Sequence, residues 1–315
     1  MKRLWLAVSA IALGLSAGAV TYDGKVLDGE WLINGSEDVI VNGTVSGTGD
    51  IRFQQTSGTL TLNCENKAVG NLYVDWGKAY ISTAAALGTG TLSVNDETTS
   101  GREKLLCFNK TMTVTNPIVL GTEANANWSR RMEVNNTSTV TLAGPLTVNS
   151  SKIQTNPNCR FVVVGGVSGN KIVMDAYGSA AGIEVKDKPL SLTGSLWVAD
   201  GTVDLNVGGN ATAGLYGFGS GVLKLGVDNP FTTLVPFAPQ QGKSFSIDLN
   251  GHDLDLGSCA NEGAGYGNTS ACMIKNSSTT KLPTVSVTQV NDNVGVSGVG
   301  AAVGVSGRMN FTKKE

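Results

Sequence analysis

The sequence predicts a single right-handed parallel β-helix. Three observations point there. Very short strands of alternating polarity recur for nearly 300 residues. Glycine and asparagine corners separate them, and no stretch between them carries apolar residues at helical spacing. Each element can be justified in order along the chain.

The first nineteen residues form an address. Met1-Lys2-Arg3 is a short positive region, Leu4 to Leu15 is mostly apolar, and Ala17-Gly18-Ala19 places small residues where a signal peptidase reads. This predicts a secretory signal peptide over residues 1–19, cut before Val20. Its removal takes Lys2 and Arg3 away, so the formal charge goes from −2 to −4. No later stretch approaches the ~18 apolar residues that a membrane-spanning helix needs.

Residues 20–315 then read as one β-helix domain, with no linker or shift in composition. Period-two alternation sets aliphatic residues on one face and Thr, Ser, Asp or Lys on the other. The runs include Val39-Ile40-Val41, Thr59-Leu60-Thr61-Leu62, Leu92-Ser93-Val94, Val140-Thr141-Leu142 and Leu146-Thr147-Val148. Further runs are Leu190-Ser191-Leu192, Leu196-Trp197-Val198, Val203-Asp204-Leu205, Val222-Leu223-Lys224-Leu225, Ile247-Asp248-Leu249, Leu254-Asp255-Leu256 and Val285-Ser286-Val287. Asn34-Gly35, Asn42-Gly43, Gly208-Gly209-Asn210 and Asn250-Gly251 lie between runs, because these residues tolerate the left-handed backbone of tight corners. Asn-Gly also marks two-residue hairpins, so an antiparallel sandwich or barrel is the competing architecture. Strand, corner and strand in quick succession favour the solenoid, of roughly a dozen coils if each takes ~20–29 residues.

Composition agrees. Glycine accounts for 41 of 315 residues, and only 15% are charged. Without a basic cluster the chain is not expected to bind nucleic acid. A single histidine, His252, excludes a histidine-rich metal centre. The five cysteines, Cys64, Cys107, Cys159, Cys259 and Cys272, include no C-x-x-C pair. Cys259 and Cys272 flank a glycine-rich stretch that a disulfide would close in an oxidising compartment, or they are small buried hydrophobes.

Two stretches carry a family resemblance. One is Ala86-Leu87-Gly88-Thr89-Gly90-Thr91-Leu92-Ser93-Val94. The stronger begins near Gly219 with Val222-Leu223-Lys224-Leu225, then Ile247-Asp248-Leu249-Asn250-Gly251-His252, Ile274-Lys275-Asn276-Ser277 and Thr284-Val285-Ser286-Val287. In this order they resemble the autotransporter-associated β-strand repeats of bacterial surface proteins. The clear match covers about a third of the chain. The resemblance implies export to the surface of a Gram-negative-type bacterium. A complete autotransporter ends in a membrane β-barrel. This chain ends Phe311-Thr312-Lys313-Lys314-Glu315 without such a segment, which implies another route of secretion or a truncated piece.

Many parallel β-helices cleave polysaccharides, so the acids are candidates for catalysis. Glycoside hydrolysis generally needs two facing carboxyl groups. Asp248, Asp253 and Asp255, with His252 at a corner, are the best constellation, but alternation alone puts such acids on outward strand positions. The polygalacturonase-type order of N-x-D, D-D, G-H-G and R-x-K is missing, with Arg102-Glu103-Lys104 on the wrong side of the histidine. No nucleophile elbow, P-loop or calcium nonapeptide occurs. Trp31, Trp76, Trp128 and Trp197 would stack on sugars only if they shared a face; otherwise they fill or cap the core. The sequence therefore predicts no catalytic, cofactor or metal residues. It predicts a structural or adhesive display rod whose partner is a polysaccharide or a host surface protein. A carbohydrate-active lyase or hydrolase is the alternative.

Overall fold

The computed structural model describes residues 18–94, 104–121, 130–178, 180–239, 244–259, 271–290 and 303–313. Every strand pairing among them is parallel, which excludes the antiparallel sandwich or barrel. The described residues are nearly all β, interrupted among them by one short 3-10 helix at Ala84–Leu87.

The pairings arrange the strands in three columns. Column one passes from residues 39–41 to 60–62 and 79–81, then through Lys104–Phe108, Arg130–Val134 and Ser151–Thr155. It continues through Ile172–Ala176, Ser195–Val198, Gly214–Gly217 and Pro236–Pro239. Column two includes Leu92–Val94, Ile118–Leu120, Leu146–Val148, Val167–Gly169 and Leu190–Leu192. Column three includes Thr139–Leu142, Arg160–Val163, Gly182–Val185, Thr202–Leu205, Val222–Leu225, Ser244–Asp248 and Ala271–Lys275. In the early coils one long strand, such as Ile51–Leu62 or Leu72–Ile81, rounds a corner and serves two columns through a register shift.

Successive passes give thirteen coils among the described residues, ten of them with strands on all three sides. At ~4.8 Å per coil the stack is about 60 Å long. Coil nine opens with Ser195–Val198, coil ten with Gly214–Gly217 and coil eleven with Pro236–Pro239. In coils nine and ten, column two shrinks to single bridges, Ser191 to Ala211 and Asn210 to Phe231. Column two becomes a strand again at 254–256 and continues into Thr284–Val290.

Alternation sets the core. On column one Leu60, Ala79, Leu106, Met132, Ile153 and Met174 succeed one another inward, each essentially buried. No coil can bury that stripe alone, so each is stabilised mainly by its two neighbours. Some apolar side chains are buried on the other side of their strands: Leu105, Cys107 and Val173 alternate with inward residues yet are nearly inaccessible.

Corners are fixed by backbone shape. Gly169, at the end of a column-two strand, has φ +124°, and a Cβ there would lie 2.0 Å from the Val148 carbonyl oxygen. Only glycine meets both demands.

Candidate functional site

The acids that the sequence singles out serve the corners. Asp253 accepts the Thr284 N–H at 2.6 Å, one coil further on. Asp248, nearly buried, accepts the N–H groups of Asn250 and Ser277 at 3.1 and 3.0 Å. His252 Nδ1 lies 2.9 Å from Asp228, which also accepts the Asp253 N–H at 3.1 Å. The hydrogen bond to His252 is the main reason the Asp228 carboxyl sits below its usual range. The same device recurs along the rod. Asp38 accepts from Thr59, Asp50 from Asn71, Asn71 from Thr91, and Asp200 from Ser220. A corner oxygen thus satisfies a backbone donor about one coil away.

Asp255 is different. It stands on the outward side of column two, in register with Ser286 and then Thr312. The three nominated acids therefore do separate work. Two hold backbone and one lines a surface cleft.

That cleft lies where column two is broken. Asn229 N–H donates to the Asp253 carbonyl at 2.9 Å, and Gly257 N–H to the Val235 carbonyl at 3.1 Å. Between these two bonds the segment 230–234 is not strand-paired with residues 254–256, while Phe231 keeps its bridge back to Asn210. A cleft of about 380 Å³ opens there, lined by Asn229, Phe231, Thr232, Thr233, Leu234 and Asp255. Beneath it Asn210, fully buried, accepts the Leu190 N–H at 2.8 Å and donates to the carbonyls of Val207 and Pro230.

The described tryptophans do not share a face. Trp31 belongs to the first coil, edge-on to Tyr22 and under Lys25. Trp76 lies on the third coil's corner strand, and Trp128 is outside the described residues. Trp197 lies outward on column one, stacked on Tyr216 of the next coil at 4.9 Å. Lys171, just before the preceding coil's strand, places its ammonium 3.9 Å from the Trp197 ring centre. Neighbouring coils thus cover both faces of that ring, so Trp197 builds a ladder and offers no open face to a sugar.

One cluster escaped sequence reasoning. Glu184 and Asp204 are register partners on column three, and the Arg160 Nη2 lies 3.0 and 3.3 Å from their carboxylates. Burial pushes Asp204 up, and Arg160 only partly opposes it. Burial acts in the same direction on Glu184, but hydrogen bonds from Asn206 and Arg160 outweigh it and hold that carboxyl low. The available signal was the spacing of twenty residues between two outward acids of one column.

Cys64, Cys107 and Cys159 are buried free thiols. The side chains of Cys259 and Cys272, like Arg102 and Glu103, lie outside the described residues, while Lys104 is buried. Among the described residues no group of three or more His, Cys, Asp or Glu side chains is placed to hold a metal, and no helix is long and apolar enough to cross a membrane. No family model, curated protein or solved structure matches this chain.

Proposed function

We infer that the protein is an exported rod of the autotransporter-associated repeat type, displayed by or secreted from a Gram-negative-type bacterium. Its role is structural or adhesive, without catalysis, and its partner is a polysaccharide or a host surface protein. The observation that carries this reading is the use of the acids. Asp248 and Asp253, two of the three catalytic candidates, are engaged by backbone N–H groups that join one coil to the next. The residues around the resemblance motifs thus read as scaffold. A stiff stack of outward polar side chains suits many weak contacts, which sum through effective concentration.

The test has two arms. Expression of the whole chain in a Gram-negative host should yield an exported product beginning at Val20, read by intact mass. That product should be retained on an array of bacterial and host polysaccharides and surface proteins. A cytoplasmic product that keeps Met1, or an array without a retained ligand, overturns the reading.

One observation favours a carbohydrate-active enzyme instead. Glu184 and Asp204 stand on consecutive coils, share Arg160, and are pushed in opposite directions, as a general acid and its partner carboxylate require. Release of reducing ends or unsaturated uronates from a polysaccharide, lost in Asp204→Asn, would establish that reading.

A further inference from the structure

We propose that the rod stacks head-to-tail on a second copy of itself, the last described coil of one molecule carrying the first coil of the next. The partner is this chain, so the inference goes beyond the display role above and takes from it only the start at Val20.

Three features carry it. The first is an open core. Val303–Ser306 pairs with Ala271–Lys275, and Asn310–Lys313 with Thr284–Val290. Neither strand has a partner on its other side among the described residues. Val305 follows Ile274 in register and Phe311 follows Val285, and those two predecessors are fully buried. Val305 and Phe311 thus occupy inward positions, yet they are 53% and 45% exposed. Positions that the next coil covers elsewhere in the stack stay in water here, beside strand edges open to pairing.

The second is phase. Each coil visits column one, then column three, then column two, as Ser195–Val198, Thr202–Leu205 and the bridge at Ala211 do. The last described strand, Asn310–Lys313, lies on column two. The first coil opens on column one with residues 20–23, followed by 25–27 and then by Trp31–Gly35 on column two. A second molecule therefore continues the winding order. The spacing agrees. Leu27 and Ile33, buried on the first coil, are six residues apart, and so are Val305 and Phe311. One register, without a bulge, sets Leu27 on Val305, Trp31 on Met309 and Ile33 on Phe311. Tyr22 and Trp31, which are only partly buried against the core, would be covered as well.

The third is charge. Residues 20–35 carry Asp23, Asp28 and Glu30 against Lys25, whereas residues 303–313 carry Arg308 and Lys313 and no acid. The corners between columns three and two have the same length, 28–30 and 307–309. The register above sets exposed Arg308 against Glu30, with Asp28 beside it. Glu30 also holds Arg52 at 2.8 Å, and its side chain stays half-exposed. Opposite ends attract and like ends repel. Two different surfaces meet, so the contact does not close on itself and propagates as a filament.

Sedimentation velocity and small-angle scattering of the chain begun at Val20 test the proposal. Species should grow with concentration, each added copy lengthening the particle by one rod, ~60 Å. Phe311→Lys should weaken association at least tenfold, because it removes apolar burial from the joint. Arg308→Glu and Glu30→Lys should each weaken it several-fold, most at low salt. An equimolar mixture of those two variants should regain the association that each lacks, since every joint then pairs opposite charges. Circular dichroism would check that the variants fold. A monomer at every concentration up to ~100 μM, a dimer that stops at two copies, or a mixture no better than its parts overturns the stacking. Those outcomes leave the exported rod and its partner standing. A failure of export or of ligand retention leaves the stacking standing, because the chain from Val20 can be made directly.

Discussion

Removing the Asn210 side chain should damage the rod locally and severely, and the size of the effect follows from its partners. Asn210 is fully buried and makes three side-chain hydrogen bonds. In Asn210→Ala the Leu190 N–H loses the side-chain oxygen that holds it at 2.8 Å. The Val207 carbonyl loses a donor, but Val207 is only partly buried and water can replace it. The Pro230 carbonyl keeps a donor, because the Asn210 backbone N–H also reaches it at 2.9 Å. One stranded buried donor costs ~1–3 kcal/mol, and the small cavity adds to it, so the total should be about 2–4 kcal/mol. Asn210→Asp separates the roles. Its oxygen still accepts from Leu190, but a carboxylate then faces two carbonyls in a buried site. The folded state must raise that group's pKa, so the variant should gain stability as pH falls and the acid becomes a donor. Urea denaturation followed by tryptophan fluorescence would measure both. Hydrogen exchange should show the loss confined to coils eight to eleven, since repeat stability is a sum of neighbour contributions. A change below ~0.5 kcal/mol for Asn210→Ala, or an Asn210→Asp variant indifferent to pH, would refute the reasoning.

Glu184→Gln and Asp204→Asn should shift stability in opposite directions at pH 7. Glu184 is held low in the folded state, so its contribution is present above its unfolded pKa and lost on acidification. Asp204 is held high, so its ionisation weakens the fold as pH rises, and neutralising it should be neutral or stabilising. Partial exposure limits each effect to about 1 kcal/mol or less, readable as a difference in thermal midpoint between pH 3 and pH 7. Cys64, Cys107 and Cys159 should resist a water-soluble thiol reagent in the native protein and react in urea, as peptide mapping would show. Burial pushes Cys64 up and, helped by Glu133, pushes Cys107 up to about 12. Gly169→Ala should cost at least ~2 kcal/mol, because left-handed strain adds to a backbone clash. Equal denaturation midpoints would show that the corner can relax.

The sequence revealed the fold because each local choice agrees with it. The run Leu190-Ser191-Leu192 buries its two leucines and exposes Ser191, and the structure places it in column two. Leu196-Trp197-Val198 and Val203-Asp204-Leu205 read equally well and fall in columns one and three. Period-two patterning decides which side chains go inward, and it is a local property. Pairing across coils is not local. Thr284 N–H finding Asp253, or Arg160 reaching both Glu184 and Asp204, depends on how many residues each coil takes. That number varies here: Leu215 pairs with Phe237 across 22 residues, and Leu254 with Val285 across 31. A degenerate period hides which acids become neighbours. It also hides that Lys171 and Tyr216 flank Trp197, which decides between stacking on sugar and packing within the rod.

The irregularity of the coils bears directly on where function can reside. A perfectly repeated coil produces ladders: like side chains stack at ~4.8 Å and satisfy one another, as Trp197 and Tyr216 do. Such a surface is uniform along the rod and has no reason to prefer one ligand position to another. A specific site needs a place where the ladder fails while its neighbours hold it rigid. Coils nine and ten are that place. Pro230 lacks an N–H for the ladder, and its carbonyl instead receives both Asn210 donors. Phe231 still bridges back to Asn210, but toward the next coil the strand pairing of column two resumes only at Leu254. Asn210 plugs the interior, so the break opens outward and the core stays closed. The buried amide that stabilises the rod therefore also holds the wall at 231–232, and Asn210→Ala should speed amide exchange there as well as at Leu190. Unchanged exchange at 231–232 in a folded Asn210→Ala protein would separate the two.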